Sequence, residues 1–447
     1  TGGQQEAVLD VETVMGLAPG ANIVFYNTQG DLSNQYFLAA EQQVAASNGG
    51  NGPDVFSISF GGCEQYPLPG TPPGVAPPDA PVFAGMNAKH TAVTVSSGDE
   101  GDNCTTGLTP ADSFGVDYPG SDPNVISVGG NETNPATSGL LNPVSWNDHF
   151  FSSGQGATGG GVSTTFTIPS FQVGLGGASA TYRNTPDIAM PAEGVTLFLS
   201  GHLAEFGGTS WSAPEMAAMY AELDEYCGGR PPSNPVGWLY TAYTRSHANY
   251  IDVTSGDNHW ASEAPTYSAH AGYDNNTGLG MPKAQSLATS VCASRAWAGG
   301  LAPMSAQARS YDLYGAQRDT TLPFADRFNR SMDLGDRGAN DQTTATLVLR
   351  HTPTAASDEQ TVIASLKAAG FTIQQTFPNH SLVQVSGTAS SINRYFNTSI
   401  HQVSQGSYGI RYANATSLTI PAAIAPYVST VLADTLIART PKHHRIR

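Results

Sequence analysis

Between residues 4 and 130 the sequence alternates helical stretches with short apolar ones, and this alternation restricts the fold more than any other feature. Residues 4–18 repeat Val8, Val11, Val14 and Met15 at helical spacing, with Glu6, Asp10 and Thr13 on another face. Pro19 and Gly20 end that helix, and ANIVFYNT (21–28) reads as a buried strand. A helix over 34–47, a strand over 54–62, a helix over 80–90 and strands over 91–99 and 123–130 follow. Helices alternating with short apolar strands predict a parallel sheet covered on both faces. Such sheets bind ligands beyond the carboxyl ends of their strands, where Gly61 and Asp99 fall.

The stretch GGTSWSAPEMAAMYAELDEYCGG (207–229) places Ser210 on a tight turn ahead of a helix. Pro214 suits the first helical turn, Met216, Met219, Tyr220, Leu223 and Cys227 recur at helical spacing, and Gly228 and Gly229 supply a stop. A helix N-terminus favours developing negative charge, which suits a nucleophilic serine. A plain helix cap would use the same residue types.

A serine nucleophile needs a base. His90, His149 and His202 precede Ser210 without the flanks of a catalytic histidine. Glu6 and Asp10, one helical turn apart, are the alternative: one carboxylate takes the hydroxyl proton and the second orients it. Alone, the pair reads as a solvated helix face. Asp99, at the end of a buried strand, could donate to an oxyanion if protonated; alone it reads as a turn residue before Gly101.

Residues 1–293 carry five Lys/Arg against 27 Asp/Glu, whereas residues 336–447 carry nine against five. The acidic front argues against a nucleic-acid partner and suits an acid medium. The asymmetry suggests that the two halves attract each other. No apolar run is long enough to span a bilayer. The start in polar sequence without a Met points to a longer precursor. Cys63, Cys104, Cys227 and Cys292 lack zinc-site spacing; of three possible pairings, Cys63–Cys104 with Cys227–Cys292 is preferred. With seven sequons, among them Asn103 and Asn131, these cysteines favour an extracellular protein.

Residues 143–170 read as a long Gly/Ser-rich loop whose glycines let a backbone approach an extended partner. Asp252 and Asp274 lie among glycines and small polar residues, where hard oxygen ligands favour calcium, and plain turn residues are the simpler reading. Residues 294–335 read as a connector. From 341, strand, helix, two strands, helix, strand and a last apolar helix near 421–435 suggest a small ferredoxin-like domain.

Together these features resemble the sedolisins, the serine-carboxyl peptidases that include kumamolisins and tripeptidyl peptidase. The motifs are QQEAVLDVETVMGLAPGA, VFSISFGG, VTVSSGDEGDN, VISVGG, ATGGGVS, NTPDIAM, GGTSWSAP and IDVTSGDN…GYDNNTGLGMP, in the family's order. The resemblance implies an α/β fold: a subtilisin-like parallel sheet with helices on both faces, plus a ferredoxin-like α+β prodomain. It implies Ser210 as nucleophile, Glu6 as general base, Asp10 as the residue orienting it, and Asp99 as oxyanion donor. It also implies a Ca2+ site on the side chains of Asp252 and Asp274 and the carbonyls of Val253 and Gly272, with a further carbonyl near His270 where the family often has glycine.

Residues 332–447 resemble the family's propeptide, yet follow the catalytic part instead of preceding it, and the opening quarter of the catalytic domain is absent. The chain therefore divides into a catalytic domain (1–293), a connector (294–335) and a propeptide-like inhibitory domain (336–447). The reading is a secreted, monomeric, acid-active serine-carboxyl peptidase in proenzyme form. It cleaves protein or peptide substrates and carries its own propeptide as intramolecular inhibitor, with no nucleic-acid or membrane partner. The alternatives are an inactive or inhibitory fragment, or a Ser-His-Asp subtilase-like hydrolase.

Overall fold

The apolar strands of the first half assemble as one sheet. β1 (Val55–Ile58) continues after Ser59 as β2 (Phe60–Cys63), and β3 (Ala92–Ser96), β4 (Ile126–Thr133) and β5 (Ile188–Pro191) follow. The order β1-β3-β4-β5 is parallel, with Val55 opposite Ala92, Thr94 opposite Ile126 and Val128 opposite Ile188, and Pro143–Ser145 adds antiparallel to the end of β4. Every residue of β3 is buried, as a strand covered on both faces requires. This computed structural model describes residues 2–445 except 27, 29–32, 65–75, 105–114, 134–141, 149–155, 200–201, 231–233, 260–266, 293–320, 323–332, 351, 406–408, 437–439 and 442–443.

Helices cover both faces. α1 (Gly2–Leu17), α2 (Asn34–Gly50), α3 (Ala80–Ala88) and α4 (Thr209–Cys227) all lie where the periodicity predicts them. Ala213, Met216, Tyr220 and Leu223 of α4 pack on Ile126, Val128 and Ile188, while α2 and α3 close the other face through Leu38, Val44, Phe83 and Met86. The hairpin of β6 (Glu193–Leu199) and β7 (His202–Gly207) leads into α4. Behind the sheet, Arg183 and Asp187 form a fully buried bidentate pair at 2.7 and 2.6 Å. Asp187 also accepts from the Ser127 N–H and the Tyr240 hydroxyl.

The second half is a four-stranded antiparallel sheet with two helices. β8 (Gln342–Leu349), α5 (Ala355–Ala368), β9 (Thr372–Thr376), β10 (Leu382–Thr388), α6 (Ala389–Phe396) and β11 (Val428–Leu432) give the sheet order β9-β10-β8-β11, the ferredoxin-like arrangement. Its sheet packs on α2 and α3 through Val348, Phe377, Leu382 and Leu432. Gln35 joins the halves, accepting from Thr344 and Thr346 and donating to the Asp434 carbonyl, and Asn379 donates to Gln42. Apolar packing and neutral amides and hydroxyls contribute to this contact. Finally, β12 (Thr440–Pro441) pairs antiparallel with β2, and β13 (His444–Arg445) with β7.

Four expectations need correction. The apolar segment near 421–435 is not a helix: Pro426 would break one, and the β-branched run Val428, Thr430, Val431 pairs with β8. Residues 21–26 form no strand, and Val24 and Phe25 are 62 % and 57 % exposed. A strand needs a hydrogen-bonded neighbour; among the described residues β1 ends the sheet, and β1 and this segment line one groove. α1 turns Glu6, Leu9 and Thr13 inward, whereas Val11 and Val14 line that groove. The 143–170 loop contains a strand, Gly161–Thr167, and a Cβ at Gly159 would meet the Ser97 carbonyl at 2.3 Å. Its glycines thus admit the chain's own backbone. The 294–335 connector lies largely outside the described residues.

Candidate active site

Ser210 is the second residue of α4 and is fully buried. Gly208 precedes the helix at φ 126°, a conformation side-chain-bearing residues rarely adopt, so the turn that presents Ser210 requires glycine there. At the far end Gly228 adopts a left-handed conformation and Gly229 N–H returns to the Asp224 carbonyl, the stop expected from the sequence. Pro214 sits in the second turn, not the first. It lacks the N–H that would pair with the Ser210 carbonyl four residues back, and the Ser59 hydroxyl approaches that carbonyl instead, at 3.2 Å.

The side chains touching the Ser210 hydroxyl come from α1 and from the break between β1 and β2. Glu6 is fully buried and hydrogen-bonds the side chains of Ser210 and Ser59. Burial raises its pKa well above the ordinary 4.5, with the two serine hydroxyls pulling the other way. Ser210 Oγ also donates to the Ser59 carbonyl at 3.2 Å. Asp10, one turn along α1, accepts from Ser59 Oγ at 2.6 Å. Ser59 therefore links Asp10, Glu6 and Ser210.

Asp99 follows β3 at the carboxyl edge of the sheet and is buried. Its Oδ1 accepts from both the N–H and the hydroxyl of Thr209, each at 2.8 Å. Asp99 is thereby fastened to the residue before Ser210, 110 positions along the chain. Glu6, Asp10, Asp99 and Ser210 thus come together. Sequence reasoning missed Ser59 and Thr209; the only sign of Ser59 was its place inside an apolar run, and Thr209 read as part of the turn.

The two ladders of the C-terminal segment flank this serine. Pro441 is opposite Phe60 and Thr440 opposite Gly61, just after Ser59; His444 is opposite Gly207 and Arg445 opposite Phe206, just before the turn to Ser210.

Asp252 and Asp274 lie on neighbouring turns of the other predicted site. Asp252 Oδ2 accepts from Gly272 N–H at 2.9 Å, and Asp274 Oδ2 from His270 N–H at 2.9 Å. Asp274 Oδ1 accepts from Asn276 and Thr277, and burial raises this carboxyl's pKa. Both charges act on Tyr243. Two carboxylates beside turn carbonyls offer oxygen donors only, the donor chemistry that a hard cation such as calcium takes. Val253 is buried and Gly272 adopts φ 86°. Both disulfides pair as preferred, Cys63–Cys104 and Cys227–Cys292, with Cα separations of 5.0 and 5.3 Å.

Comparison with known proteins bears on both halves. Residues 2–280 match the subtilase family, and residues 340–435 match the pro-kumamolisin activation domain. Kumamolisin of Bacillus sp. (strain MN-32) is 32 % identical over 292 residues, covering 62 % of this chain and 49 % of the relative. Sedolisin of Pseudomonas sp. (strain 101) is 31 % identical over 287 residues, covering 62 % and 47 %. The chain spans about half the length of these relatives. A solved structure of Pseudomonas sedolisin, a serine-carboxyl proteinase complexed with two molecules of pseudo-iodotyrostatin, aligns with TM-score 0.56 and 29 % identity. It covers 66 % of this chain and 80 % of that one.

Proposed function

Because this chain belongs to the subtilase family, in its sedolisin branch, we propose that it is an acid-active serine-carboxyl peptidase in proenzyme form. The observation that carries this reading is the buried Glu6 carboxyl hydrogen-bonded to the Ser210 hydroxyl at the start of α4. A carboxyl is in contact with this hydroxyl, which favours a Ser-Glu-Asp arrangement over a Ser-His-Asp one.

Ionised Glu6 takes the Ser210 proton as Oγ attacks a peptide carbonyl. Asp10 steadies Glu6 through Ser59 and stabilises whichever carboxyl holds the proton. Asp99, neutral in acid, donates with the Ser210 N–H to the tetrahedral oxyanion, while Thr209 holds its Oδ1 and fixes its direction. Glu6 then gives its proton to the leaving amine as the C–N bond breaks, and water, activated by the same carboxylate, releases the acyl group and restores the serine. Asp99 can donate to the oxyanion only while it holds its proton, so the reaction belongs to an acid medium.

The C-terminal ferredoxin-like part (336–447), beyond the connector (294–335), acts as propeptide to the catalytic part (1–293). It docks on α2 and α3 and lays β12 and β13 along the edges beside Ser210, where an extended peptide substrate would add as a strand. The side chains of Asp252 and Asp274 and the carbonyls of Val253 and Gly272 would hold calcium, which would supply positive charge against the buried Asp274 carboxyl. Two disulfides suit a secreted protein, and no helix of the described residues is long and apolar enough to cross a membrane. The protein acts as a monomer, on proteins or peptides.

The test is digestion of a denatured protein across a pH series, with mass spectrometry of products and of the enzyme's own termini. Activity confined to acid and lost in both Ser210→Ala and Glu6→Gln supports the proposal; a neutral optimum that survives Glu6→Gln rejects it.

A further inference from the structure

Three acidic side chains from three segments meet beside the turn that presents Ser210, and the catalytic reading gives them no task. Glu132 lies near the end of β4, opposite Val144 of the Pro143–Ser145 strand. Glu193 opens β6, and Asp148 follows the fully buried Trp146. Carboxylate oxygens of all three lie within 4.8 Å of one another. Asp148 is buried and fixed: the Trp146 indole N–H donates to its Oδ2 at 3.0 Å, and its own N–H donates to the Gly156 carbonyl. The Glu132 and Glu193 side chains are hydrogen-bonded to each other, and the charges acting on Glu132, from Glu193 and Asp148, are both negative.

A hydrogen bond between two carboxyls exists only while one of them holds a proton. Burial first, and then the contact with Glu193 and its charge, push Glu132 up to about 8. The bond is therefore complete in acid and is lost as pH rises through that value, when two like charges are left facing each other.

What this bond holds is the base of a hairpin. Glu193 is opposite Gly207, the last residue of β7. Beside it, Ala192 N–H donates to the Asn131 carbonyl at 2.9 Å, and the Ala192 carbonyl accepts from Gly208 N–H at 2.6 Å. Ala192 thus ties Gly208, two residues before Ser210, to β4. Packing leaves no slack there: a Cβ on Gly130 would meet the Ala192 Cβ at 2.7 Å and the Trp146 ring at 3.0 Å. A push on Glu193 has to move its neighbour Ala192, and with it the turn.

We propose that Glu132 and Glu193 share one proton in a clasp that fixes the base of the β6–β7 hairpin and, through Ala192, the Gly208 turn, and that the clasp opens when the proton leaves. Both are then positioning residues for Ser210, acting on it through the backbone.

The test is residue-resolved amide hydrogen exchange of the full chain from pH 5 to pH 9, corrected for intrinsic rates. Ala92 N–H, bonded to the Asp54 carbonyl at the start of β3, serves as reference for global opening. The ratio of Gly208 to Ala92 protection should fall roughly tenfold between pH 7 and pH 9, the response of a single proton leaving near 8. Glu132→Gln supplies an amide donor that does not titrate, so its ratio should stay flat, and Glu193→Gln should do the same from the other side. Glu132→Ala has no bond to lose and should show a lower ratio at pH 5 that falls no further. A ratio that stays flat in the unaltered chain, or falls equally there and in both Gln variants, overturns the proposal. So does a Glu132→Ala ratio matching the unaltered chain at pH 5; if that variant does not fold, the two Gln variants decide. Exchange is read without substrate, so failure here leaves the catalytic reading standing.

Discussion

Ser59 Oγ lies 2.6 Å from Asp10 Oδ1, and the same hydroxyl touches Glu6 and the Ser210 carbonyl. A hydroxyl has one proton to give, so three acceptors around it require a carboxyl to hold a proton of its own. The raised pKa of Glu6 supplies that proton. Ser59→Ala should therefore disconnect Asp10 from the serine without emptying the site. The expected result is a fall in kcat of about ten- to a hundredfold with KM little changed, short of the roughly 10⁴-fold upper end for losing a general base. Steady-state kinetics of Ser59→Ala beside Glu6→Gln checks the order of the two effects.

The pH profile should have two limbs with separate owners. Glu6 works as base only when ionised, and burial raises its pKa, so activity should rise with pH over a range above the ordinary 4.5. The falling limb belongs to Asp99 as it loses the proton it donates. Asp99→Asn replaces a titrating donor with an amide, which donates at every pH. Its kcat/KM profile should keep the rising limb and lose the falling one. A falling limb that survives this change would take Asp99 out of the proposed role.

Stability should also favour acid. Burial pushes Asp122 up to about 7, Asp224 up to about 7, and Glu132, which faces Glu193 and Asp148, up to about 8. The folded protein then holds these protons more tightly than the unfolded chain does, where Asp ionises near 3.8. Their contribution is complete below that value and is lost as pH rises through 7 to 8. The melting temperature should fall steadily from pH 4 to pH 8, and Asp122→Asn should flatten the slope. Calorimetry in buffers of constant ionic strength measures both.

How much of this was legible in the sequence depends on the range of the force involved. α1, α4 and β3 were readable because helical spacing and a continuous apolar run are local signals, as were the glycines that bound α4. The convergence of Glu6, Asp10, Asp99 and Ser210 left no local trace, since α1 reads as a solvated acidic face until its contact with α4 is known. Family resemblance supplied those positions. It said nothing of Ser59, which bonds Asp10 and approaches the Ser210 carbonyl that Pro214 cannot pair. The strand expected over 21–28 failed for the opposite reason: its apolar run is a local signal, but a strand needs a hydrogen-bonded neighbour, and among the described residues none pairs with 21–26.

The Arg183–Asp187 pair should be the most sensitive structural point away from the serine. Both groups are fully buried, and Asp187 bonds Arg183, Ser127 and Tyr240 together. Arg183→Met leaves that carboxylate without its cation and should destabilise the fold by about 3–5 kcal/mol. The double change Arg183→Met with Asp187→Leu should recover part of the loss. Urea unfolding of the two variants separates the penalty of an unpaired charge from the loss of packing.

The tail makes the last prediction. β12 bonds the strand just after Ser59 and β13 the strand just before α4, so these two short strands border the serine on both sides. A segment tethered this way competes at an effective concentration on the order of millimolar, which a typical peptide substrate does not reach. The docking of the ferredoxin-like sheet on α2 and α3 does not involve these residues, being carried by Leu382, Leu432 and Gln35. Truncation after Leu436 should therefore raise the initial rate on a short fluorogenic peptide at acid pH by about tenfold while the halves stay associated on gel filtration. If the rate stays the same and the tail of the full chain resists an added protease in acid, the segment borders the serine without blocking it. The docked sheet would then have to be the inhibitor by itself.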